Sequence, residues 1–374
     1  MTTTAAGREV PFFDYRGAFS TIEDAVVETV RDVMRRGAFI LQNDLAEFER
    51  AVATYLGVKH ALGVGNATDG LHLAFRAAGI KPGDEVIFPT HTMVAGPAAV
   101  HFAGGVPVPV DIGADRLLDA AAIESAVTSR TRFIMPVQLN GRTCDMGAIE
   151  AVAARHGLLI IEDAAQALGS KFRGRFAGTF GVGAAFSFYP AKILGCLGDG
   201  GLVVTNDDEV AERLAQLRDH GRGQDGDVAM WGLNSRLDNL QAAILHIQFR
   251  DYPAIIAHRR SLAERYCSRL RDVREVSLPP APDEHLDHFD VYQNFEIEAD
   301  RRDSLRRFLK DRGIGTLVQW GGKGVHQHLH LGLKASLPVA DRFFARCLML
   351  PLNMMVTLDD ADYVAVAIRE FYES

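Results

Sequence analysis

The sequence predicts an α/β fold in which helices cover both faces of a largely parallel sheet. Short apolar runs alternate with stretches of helical periodicity along most of the chain. Several of the apolar runs contain no polar alternation, which is typical of strands that are buried on both faces. The length of 374 residues and the 48% hydrophobic content favour about two domains with substantial cores.

The predicted elements of the N-terminal part follow this alternation in order. The predicted strands are Ala61–Val64, Glu85–Phe88, Val106–Val110, Arg132–Pro136, Leu158–Glu162, Ala184–Phe188 and Gly201–Thr205. The predicted helices are Thr21–Arg36, Asp44–Tyr55, Asp69–Ala78, Ala120–Ala126, Ala148–His156 and Asp208–His220. Several of these helices are followed by glycine, which is a common helix stop signal.

After Asn234 the pattern changes. A helical stretch, Asp238–Arg271, is interrupted near Pro253 and leads into the proline-rich segment Leu278–Pro282. Beyond it we predict a strand at Val291–Ile297, a helix at Arg302–Arg312, a strand at Gly315–Gln319 and a final helix at Asp359–Tyr372. The sequence therefore predicts a large domain over residues 1–240, with an N-terminal arm, and a smaller C-terminal α/β domain over residues 241–374.

The composition argues against several classes of partner. The 40 Lys and Arg residues face 48 Asp and Glu residues, so the net charge of −8 does not favour nucleic acid as a partner. The four cysteines are far apart and form no CxxC pair, which fits a reducing cytoplasm better than a zinc ribbon or a disulfide scaffold. Met1–Val10 has no signal-peptide pattern, and no apolar run approaches the roughly 18 residues of a membrane span. We expect a soluble cytoplasmic protein without membrane contact.

Two segments place reactive side chains directly after predicted strands. The segment Leu158–Ser170 has Asp163 and Gln166 at the carboxyl end of an apolar run, where ligands bind in parallel α/β sheets. Taken alone, Asp163 is equally well explained as the cap of a turn. The segment Ala184–Lys192 places a lysine after another apolar run. Apolar surroundings disfavour the ammonium form of a lysine and make its neutral amine available for a Schiff base.

A third segment offers a phosphate site. Asn66, Ala67 and Thr68 lie between a predicted strand and a predicted helix, so backbone N–H groups at the helix N-terminus could bind a dianion. Such a run by itself often does no more than start a helix. An acid, a lysine and a phosphate cradle together are what pyridoxal 5′-phosphate (PLP) requires, so the combination with Asp163 and Lys192 predicts PLP.

Several stretches in the same order resemble one family almost end to end. They are Gly37–Leu41, Gly83–Pro89, Gly141–Met146, Glu162–Ala167, Phe186–Lys192, Gly198–Gly201 and Asn234–Ala243. On these residues the chain resembles the DegT/DnrJ/EryC1/StrS family of PLP-dependent sugar aminotransferases. The resemblance implies the PLP-dependent transferase fold of the aspartate aminotransferase superfamily, fold type I.

The resemblance also implies a role for individual residues. It assigns cofactor binding to Asn66, Ala67, Thr68, Met93, Asp163, Gln166, Ser187, Lys192 and Asn234. Lys192 would hold the cofactor aldehyde as a Schiff base, Asp163 would contact the pyridine nitrogen, and Gln166 would lie near the 3-hydroxyl. Asn234 would reach the phosphate in the neighbouring subunit, so the resemblance implies a homodimer with a shared active site.

The chain departs from the family pattern at two places. Met93 stands where the family often has an aromatic residue stacked on the cofactor, and a thioether can cover a ring face less rigidly. The phosphate segment reads Asn-Ala-Thr where Gly-Thr is usual. Neither change removes a chemically required group.

The histidine-rich segment Lys323–His330 has two interpretations. Its density of histidines suggests a metal site, but the segment has no acidic residue nearby and we expect no bound metal. The resemblance instead places His326 near the sugar substrate. Lys323 is a candidate for a cationic patch that binds the diphosphate of a nucleotide sugar, and Tyr189 is a further candidate substrate-binding residue. We expect His328 and His330 to be surface or structural residues.

The function that the resemblance implies is transfer of an amino group from an amino acid, L-glutamate by analogy with the family, to a keto-sugar linked to a nucleotide. The setting would be amino-sugar, glycan or natural-product biosynthesis. One alternative is an NAD(P)-dependent oxidoreductase, because Gly63 and Gly65 follow a strand and precede a helix, although Thr68 stands where that motif needs a third glycine. A second alternative is a non-catalytic PLP-binding sensor on the same fold. The sequence does not identify the sugar, the aminated carbon or the nucleotide.

Overall fold

The computed structural model describes residues 8–373 of the chain. Residues 1–7, on which most of the argument against a signal peptide rests, lie outside the described residues. Within the described part of the chain, no helix combines the length and the apolar character that a membrane crossing needs.

The central sheet has seven strands and is mostly parallel. The strands of the protein are β1 (His60–Val64), β2 (Glu85–Pro89), β3 (Val106–Val110), β4 (Thr131–Ile134), β5 (Leu159–Asp163), β6 (Lys171–Phe172), β7 (Arg175–Phe176), β8 (Gly183–Ser187), β9 (Gly201–Thr205), β10 (Val276–Ser277), β11 (His288–Phe289), β12 (Phe295–Ala299) and β13 (Cys347–Leu350). The central sheet has the order β1-β9-β8-β5-β4-β2-β3, and only β9 runs antiparallel to its neighbours. All seven strands predicted in the N-terminal part belong to this sheet, so the predicted α/β architecture is confirmed.

Helices pack on the central sheet and on the smaller sheet of the C-terminal part. They are α1 (Tyr15–Ser20), α2 (Glu23–Arg36), α3 (Asn43–Leu56), α4 (Ala67–Ala77), α5 (Ala95–Phe102), α6 (Ala120–Ala126), α7 (Met146–His156), α8 (Asp208–Arg218), α9 (Asn239–Phe249), α10 (Tyr252–Leu270), α11 (Arg302–Lys310), α12 (Pro338–Arg346) and α13 (Leu358–Glu373). The predicted helices are present to within about two residues at each end. Pro253 lies in the first turn of α10, where its missing N–H costs no hydrogen bond, and this separates α10 from α9 as predicted.

Three helices were not predicted: α1, α5 and α12. Helix α5 contains a glycine and a proline within eight residues, so its intrinsic helix propensity is low. It forms because Ala99 and Val100 are fully buried in the core that covers the sheet. Tertiary packing therefore decides this helix.

Two predicted C-terminal strands are wrong in part or in full. In the predicted strand Val291–Ile297, only Phe295 and the residues after it are in β12, and residues 291–294 are irregular. The predicted strand Gly315–Gln319 does not form: Leu317 makes a single bridge to Met349, and the chain then turns into a 3₁₀ helix. Strand β13, which was not predicted, occupies the position beside β12 in the three-stranded sheet β10-β12-β13.

The hydrophobic cores bear on the predicted domain boundary at residue 240. Leu245 of α9 shares a core with Phe48 of α3 beneath the central sheet, whereas Tyr266 of α10 packs with Phe295 in the C-terminal core. Ile256, near the start of α10, still belongs to the core of the central sheet. The boundary stays a prediction, and this packing supports a position within α10.

Candidate active site

The carboxyl ends of β1, β5 and β8 meet at one edge of the central sheet. They are neighbours in the sheet except for the intervening antiparallel β9, so all three run in the same direction. The last residues of β5 and β8 are Asp163 and Ser187, and β1 leads directly to the N-terminus of α4. The sheet thereby brings together three segments that are spread over more than a hundred residues of the sequence.

Asp163 is a buried carboxylate with one oxygen unpaired. Its Oδ1 accepts a hydrogen bond of 3.1 Å from the backbone N–H of Ala165. Among residues 8–373, Oδ2 receives no hydrogen bond. Burial raises the pKa of Asp163, and the Ala165 N–H and the charge of Lys192 oppose that change. A buried carboxylate of this kind is stabilised by a cationic N–H partner.

Lys192 lies in the loop that follows β8. Its side chain is half-buried, and burial lowers its pKa from 10.5 to about 8, while the negative charge of Asp163 acts in the opposite direction. A substantial fraction of its amine is therefore neutral at mildly alkaline pH. A neutral lysine amine is the form that attacks a carbonyl.

The N-terminus of α4 offers unpaired backbone donors. Asn66 caps the helix, because its Oδ1 accepts a 2.8 Å hydrogen bond from the N–H of Asp69, and the N–H groups of Ala67 and Thr68 remain without helical partners. Gly201 pairs with Ser187 on one side and with Val64 on the other. A Cβ at Gly201 would lie 2.5 Å from the carbonyl carbon of Asn66. Glycine at this position therefore allows the backbone of β9, which pairs with Ser187, to pass directly against the start of α4.

Gln166 is oriented by two neighbours. Its Oε1 accepts a 2.9 Å hydrogen bond from the N–H of Asn140 and a longer one, 3.4 Å, from Nδ2 of Asn294. Because the oxygen is used in this way, the Nε2 group is left as a donor, and among the described residues it has no acceptor. This orientation fits the predicted contact with a ring hydroxyl oxygen.

Asn140 and Asn294 are site residues that sequence reasoning missed. Asn140 has the left-handed φ of 54°, and its side chain bonds both Asn294 (2.8 Å) and the buried carboxylate of Glu296 (2.7 Å). The next residue, Gly141, lies so close to the C-terminal part that a Cβ would be 2.6 Å from the backbone nitrogen of Gln293. The only signal in the sequence was the family-like stretch that begins at Gly141.

Met93 and Tyr189 lie on the exposed side of this region. The side chain of Met93 is 54% exposed and that of Tyr189 is 52% exposed. Helix α5 starts next to Met93, and an added Cβ on its Gly96 would lie 3.5 Å from Oδ2 of Asp163. Gly96, three residues after Met93, therefore approaches the carboxylate, and the predicted role of Met93 in covering a ring stays a prediction.

The structure separates the histidine-rich segment into buried and exposed parts. His326 is buried, with Nδ1 2.7 Å from Oγ1 of Thr90 and Nε2 3.0 Å from Oδ1 of Asp341. Both ring nitrogens are thus engaged within the chain, so His326 joins this segment to the end of β2. Lys323, His328 and His330 are exposed. In residues 8–373 there is no group of three His, Cys, Asp or Glu side chains placed to hold a metal ion.

Asn234 is exposed and makes a single backbone bridge to Asp219. Its neighbour Ser235 is buried and donates a 2.7 Å hydrogen bond to Asp69 in the first turn of α4. Asn234 therefore lies near the phosphate segment of its own chain while its side chain faces outward. This is the orientation that a contact with a second subunit needs.

The residues of this region fit PLP. The unpaired Oδ2 of Asp163, the free Nε2 of Gln166 and the depressed pKa of Lys192 offer groups for the ring nitrogen, the ring hydroxyl and the aldehyde, respectively. The donors around Gly201 suit a phosphate.

Comparisons with known proteins agree with this geometry. The model of the DegT/DnrJ/EryC1/StrS aminotransferase family matches residues 20–369. The chain belongs to this family. A dTDP-3-amino-3,4,6-trideoxy-alpha-D-glucose transaminase of Streptomyces venezuelae is 41% identical and covers 100% of this chain and 99% of its own length. A UDP-N-acetyl-3-dehydro-alpha-D-glucosamine 3-aminotransferase of Acidithiobacillus ferrooxidans is 38% identical, over 96% of this chain and 97% of its own.

Solved structures show the same fold. The crystal structure of S. venezuelae DesV in complex with a ketimine intermediate has a TM-score of 0.93 at 41% identity and covers 98% of this chain and 99% of its own. The predicted fold type I architecture is confirmed, and so is the assignment to the sugar aminotransferases. The oxidoreductase and the non-catalytic sensor are not favoured, because the relatives that match over nearly the whole chain include named sugar transaminases. PLP-dependent aminotransferases are the class to which the protein belongs.

Proposed function

We propose that this aminotransferase carries PLP on Lys192 and uses it to move an amino group from L-glutamate to a nucleotide-linked keto-sugar. The observation that carries this proposal is the pairing of a half-buried lysine, whose pKa is about 8, with a buried carboxylate that has a free oxygen. The relatives named above act on sugars with different nucleotides, dTDP and UDP, so the family supports a nucleotide sugar more strongly than a particular carrier.

Each residue of the site has a separate task in this proposal. When bound, PLP would supply an electron sink for removal of the α-proton of the donor. Lys192 would be freed when the amine of the donor takes its place on the cofactor aldehyde, and its neutral amine, accessible near the operating pH, would then accept that proton and later return one. Asp163 would hold a proton on the ring nitrogen through its free Oδ2, and Gln166 would donate a hydrogen bond to the ring oxygen. Ser187, Ala67 and Thr68 bind the phosphate.

Fewer contacts support the assignment of the residues that bind the sugar substrate. Lys323 is exposed, and the residue after it, Gly324, packs so closely on the end of β2 that an added Cβ would lie 2.9 Å from Oγ1 of Thr90. Lys323 is thereby held near the carboxyl edge of the sheet, where a cation suits the diphosphate of a nucleotide sugar. We propose that His326 acts by holding this segment in place through Thr90 and Asp341, and that Lys323 and the exposed Tyr189 contact the substrate.

We also propose a homodimer in which Asn234 contacts the phosphate of the partner's cofactor. The loop that contains Asn234 exposes Trp231, whose side chain is 91% accessible, and Leu233. Leu197, in the loop after Lys192, is 52% exposed as well. Large apolar side chains around a site are typical of a surface that a partner covers. A cytoplasmic location stays a prediction.

The cofactor proposal is tested with purified protein and a matched lysine control. The wild-type protein and Lys171→Ala, which changes another half-buried lysine, should show a visible absorbance band that L-glutamate removes. Lys192→Ala should have no such band and no turnover. A panel of dTDP-, UDP-, GDP- and CDP-linked keto-sugars then identifies the acceptor. Turnover by Lys192→Ala would contradict the proposal.

The shared site is tested by mixing two inactive or weakened chains. If Asn234 acts in the partner's site, a mixed dimer of Lys192→Ala and Asn234→Ala has one intact site and recovers activity. If Asn234 acts only in its own chain, mixing recovers nothing. Light scattering of the same samples reports whether dimers form.

A further inference from the structure

Gln293 contacts the main chain on both sides of Lys192. Its Nε2 donates a 2.8 Å hydrogen bond to the carbonyl oxygen of Ala191, and its Oε1 accepts a 2.9 Å hydrogen bond from the N–H of Ile193. The side chain is buried, with 7% of its surface accessible. One amide side chain therefore pairs with the two peptide groups that flank the reactive lysine.

Lys192 has little else to fix its backbone. It lies in a loop outside the helices and strands, and its own N–H donates a 2.8 Å hydrogen bond to the carbonyl of Tyr189 within the same turn. This turn is local, so by itself it gives the peptide groups next to Lys192 no contact outside the loop. The bonds to Gln293 connect the loop to residues about a hundred positions away in the sequence.

Gln293 is itself held firmly. Nη1 of the buried Arg259 donates to the carbonyl oxygens of Tyr292 and Gln293, at 3.0 and 3.1 Å. Gly141 also packs against the backbone nitrogens of the same two residues. Residues 291–294 precede β12 without joining a sheet, so the side chain of Gln293 can turn toward the loop.

We propose that Gln293 is a positioning residue for the amino-transfer reaction, because it fixes both peptide groups that flank Lys192 and so aims the amine at the cofactor. This inference rests on the proposed role of Lys192. A small displacement of a reactive group lowers the rate of its reaction strongly, because the reacting atoms must be held in near-attack geometry.

The same loop supplies a matched control. Nε2 of Gln248 donates a 3.2 Å hydrogen bond to the carbonyl of Gly195, three residues beyond Lys192, and Gln248 makes no bond to the peptides that flank the lysine. Gln248→Met removes a glutamine that holds the loop and leaves both flanking peptides paired. It therefore reports what general loosening of the loop does.

Two variants of Gln293 separate positioning from folding. Gln293→Met keeps the length of the side chain and removes both hydrogen bonds. Gln293→Glu keeps the acceptor for Ile193 and places an oxygen against the carbonyl of Ala191, so one bond is lost with little change of shape. Thermal unfolding of each cofactor-free variant shows whether it is folded before its reactivity is compared.

The main readout is covalent capture of the cofactor. Cofactor-free protein is mixed with PLP at a series of pH values, trapped with borohydride after set times, and analysed by mass spectrometry for modification at Lys192. In Gln293→Met and Gln293→Glu, Lys192 should be modified about tenfold more slowly than in wild type, and the pH at which the modification rate is half-maximal should shift. The reason is that each variant loses at least one hydrogen bond that holds the peptide groups next to the lysine. In turnover they should show a lower kcat with nearly unchanged KM for the donor. Gln248→Met should resemble wild type in all three measurements.

The outcomes distinguish the inference from the proposal on which it rests. If wild-type protein is not modified at Lys192, the proposed role of the lysine fails. If wild type is trapped at Lys192 but the folded Gln293 variants have the same rate and pH midpoint as Gln248→Met, the positioning role is overturned.

Discussion

The burial of Lys192 predicts that the wild-type residue destabilises the cofactor-free protein. Replacement of the lysine by methionine removes an ammonium group from a half-buried position and keeps a side chain of similar length. The pKa of Lys192 falls from 10.5 to about 8 because burial disfavours the charged form. Since about 1.4 kcal/mol corresponds to one pH unit, this shift corresponds to about 3 kcal/mol. Water still reaches part of the side chain, so we expect about 2 kcal/mol.

The sign and the pH window of the effect follow from proton linkage. Below pH 8 Lys192 is an ammonium in both the folded and the unfolded chain. Only the folded chain is destabilised by it, because only there is the charge buried. Between pH 8 and 10.5 the unfolded chain binds more protons at this site than the folded chain, so the stability of the wild type rises with pH. At pH 7 the Lys192→Met protein should therefore be more stable by about 2 kcal/mol, and this advantage should largely disappear by pH 10.5.

The assay is urea unfolding of cofactor-free wild type and Lys192→Met at pH 7, 9 and 10.5. Protein concentration is held constant, because subunit association would change the apparent stability. Lys310→Met, which changes an exposed lysine, controls for the loss of a positive charge. Better packing of the methionine would add a constant difference, so the dependence on pH is the decisive quantity. A difference that is absent at pH 7, or equally large at pH 10.5, would refute the reasoning.

Two further predictions concern the phosphate cradle and a buried ion pair. Gly201→Ala should weaken PLP binding about tenfold or more, measured by fluorescence titration, because its Cβ would meet the carbonyl carbon of Asn66 at 2.5 Å and displace the start of α4. Gly183→Ala, where the nearest atom is 3.7 Å away, should bind PLP almost normally, and equal losses in both variants would contradict the argument. Arg142→Met should destabilise the protein by about 3 kcal/mol, because it leaves a buried carboxylate partner without its cation. Arg173→Met removes an exposed ion pair and should leave the unfolding midpoint almost unchanged, and a similar loss in both would show that burial is not the cause.

Much of the large domain could be predicted because its signals are local. Apolar runs such as the one that ends at Asp163 need burial on both faces. Helices are indicated by the periodicity of their apolar residues and by a glycine that follows them. The position of a reactive residue directly after a strand was also readable, since strand ends gather at one edge of a parallel sheet. The assignments of Asp163 and Lys192 depended on this kind of signal and on the family resemblance.

The C-terminal part was harder to read because its structure depends on contacts between distant segments. The segment Gly315–Gln319 has the composition of a strand, but β13 takes the place beside β12. The predicted strand at Val291–Ile297 starts four residues late, and its irregular beginning is what brings Gln293 and Asn294 to the site. Amide side chains that act through single hydrogen bonds leave no periodic pattern in a sequence.

The sequence by itself determined the α/β class, most of the helices and strands of the large domain and, through the family resemblance, the choice of Lys192 and Asp163 as the residues proposed to hold the cofactor. Only the tertiary structure decided how those groups are held. It showed that Gln166 is turned by Asn140, that His326 is committed to contacts within the chain, and that Gln293 clamps the peptides around Lys192. The physical reason is that a strand or helix is specified by neighbouring residues, whereas the orientation of a side chain is set by whichever distant partner satisfies its hydrogen bonds.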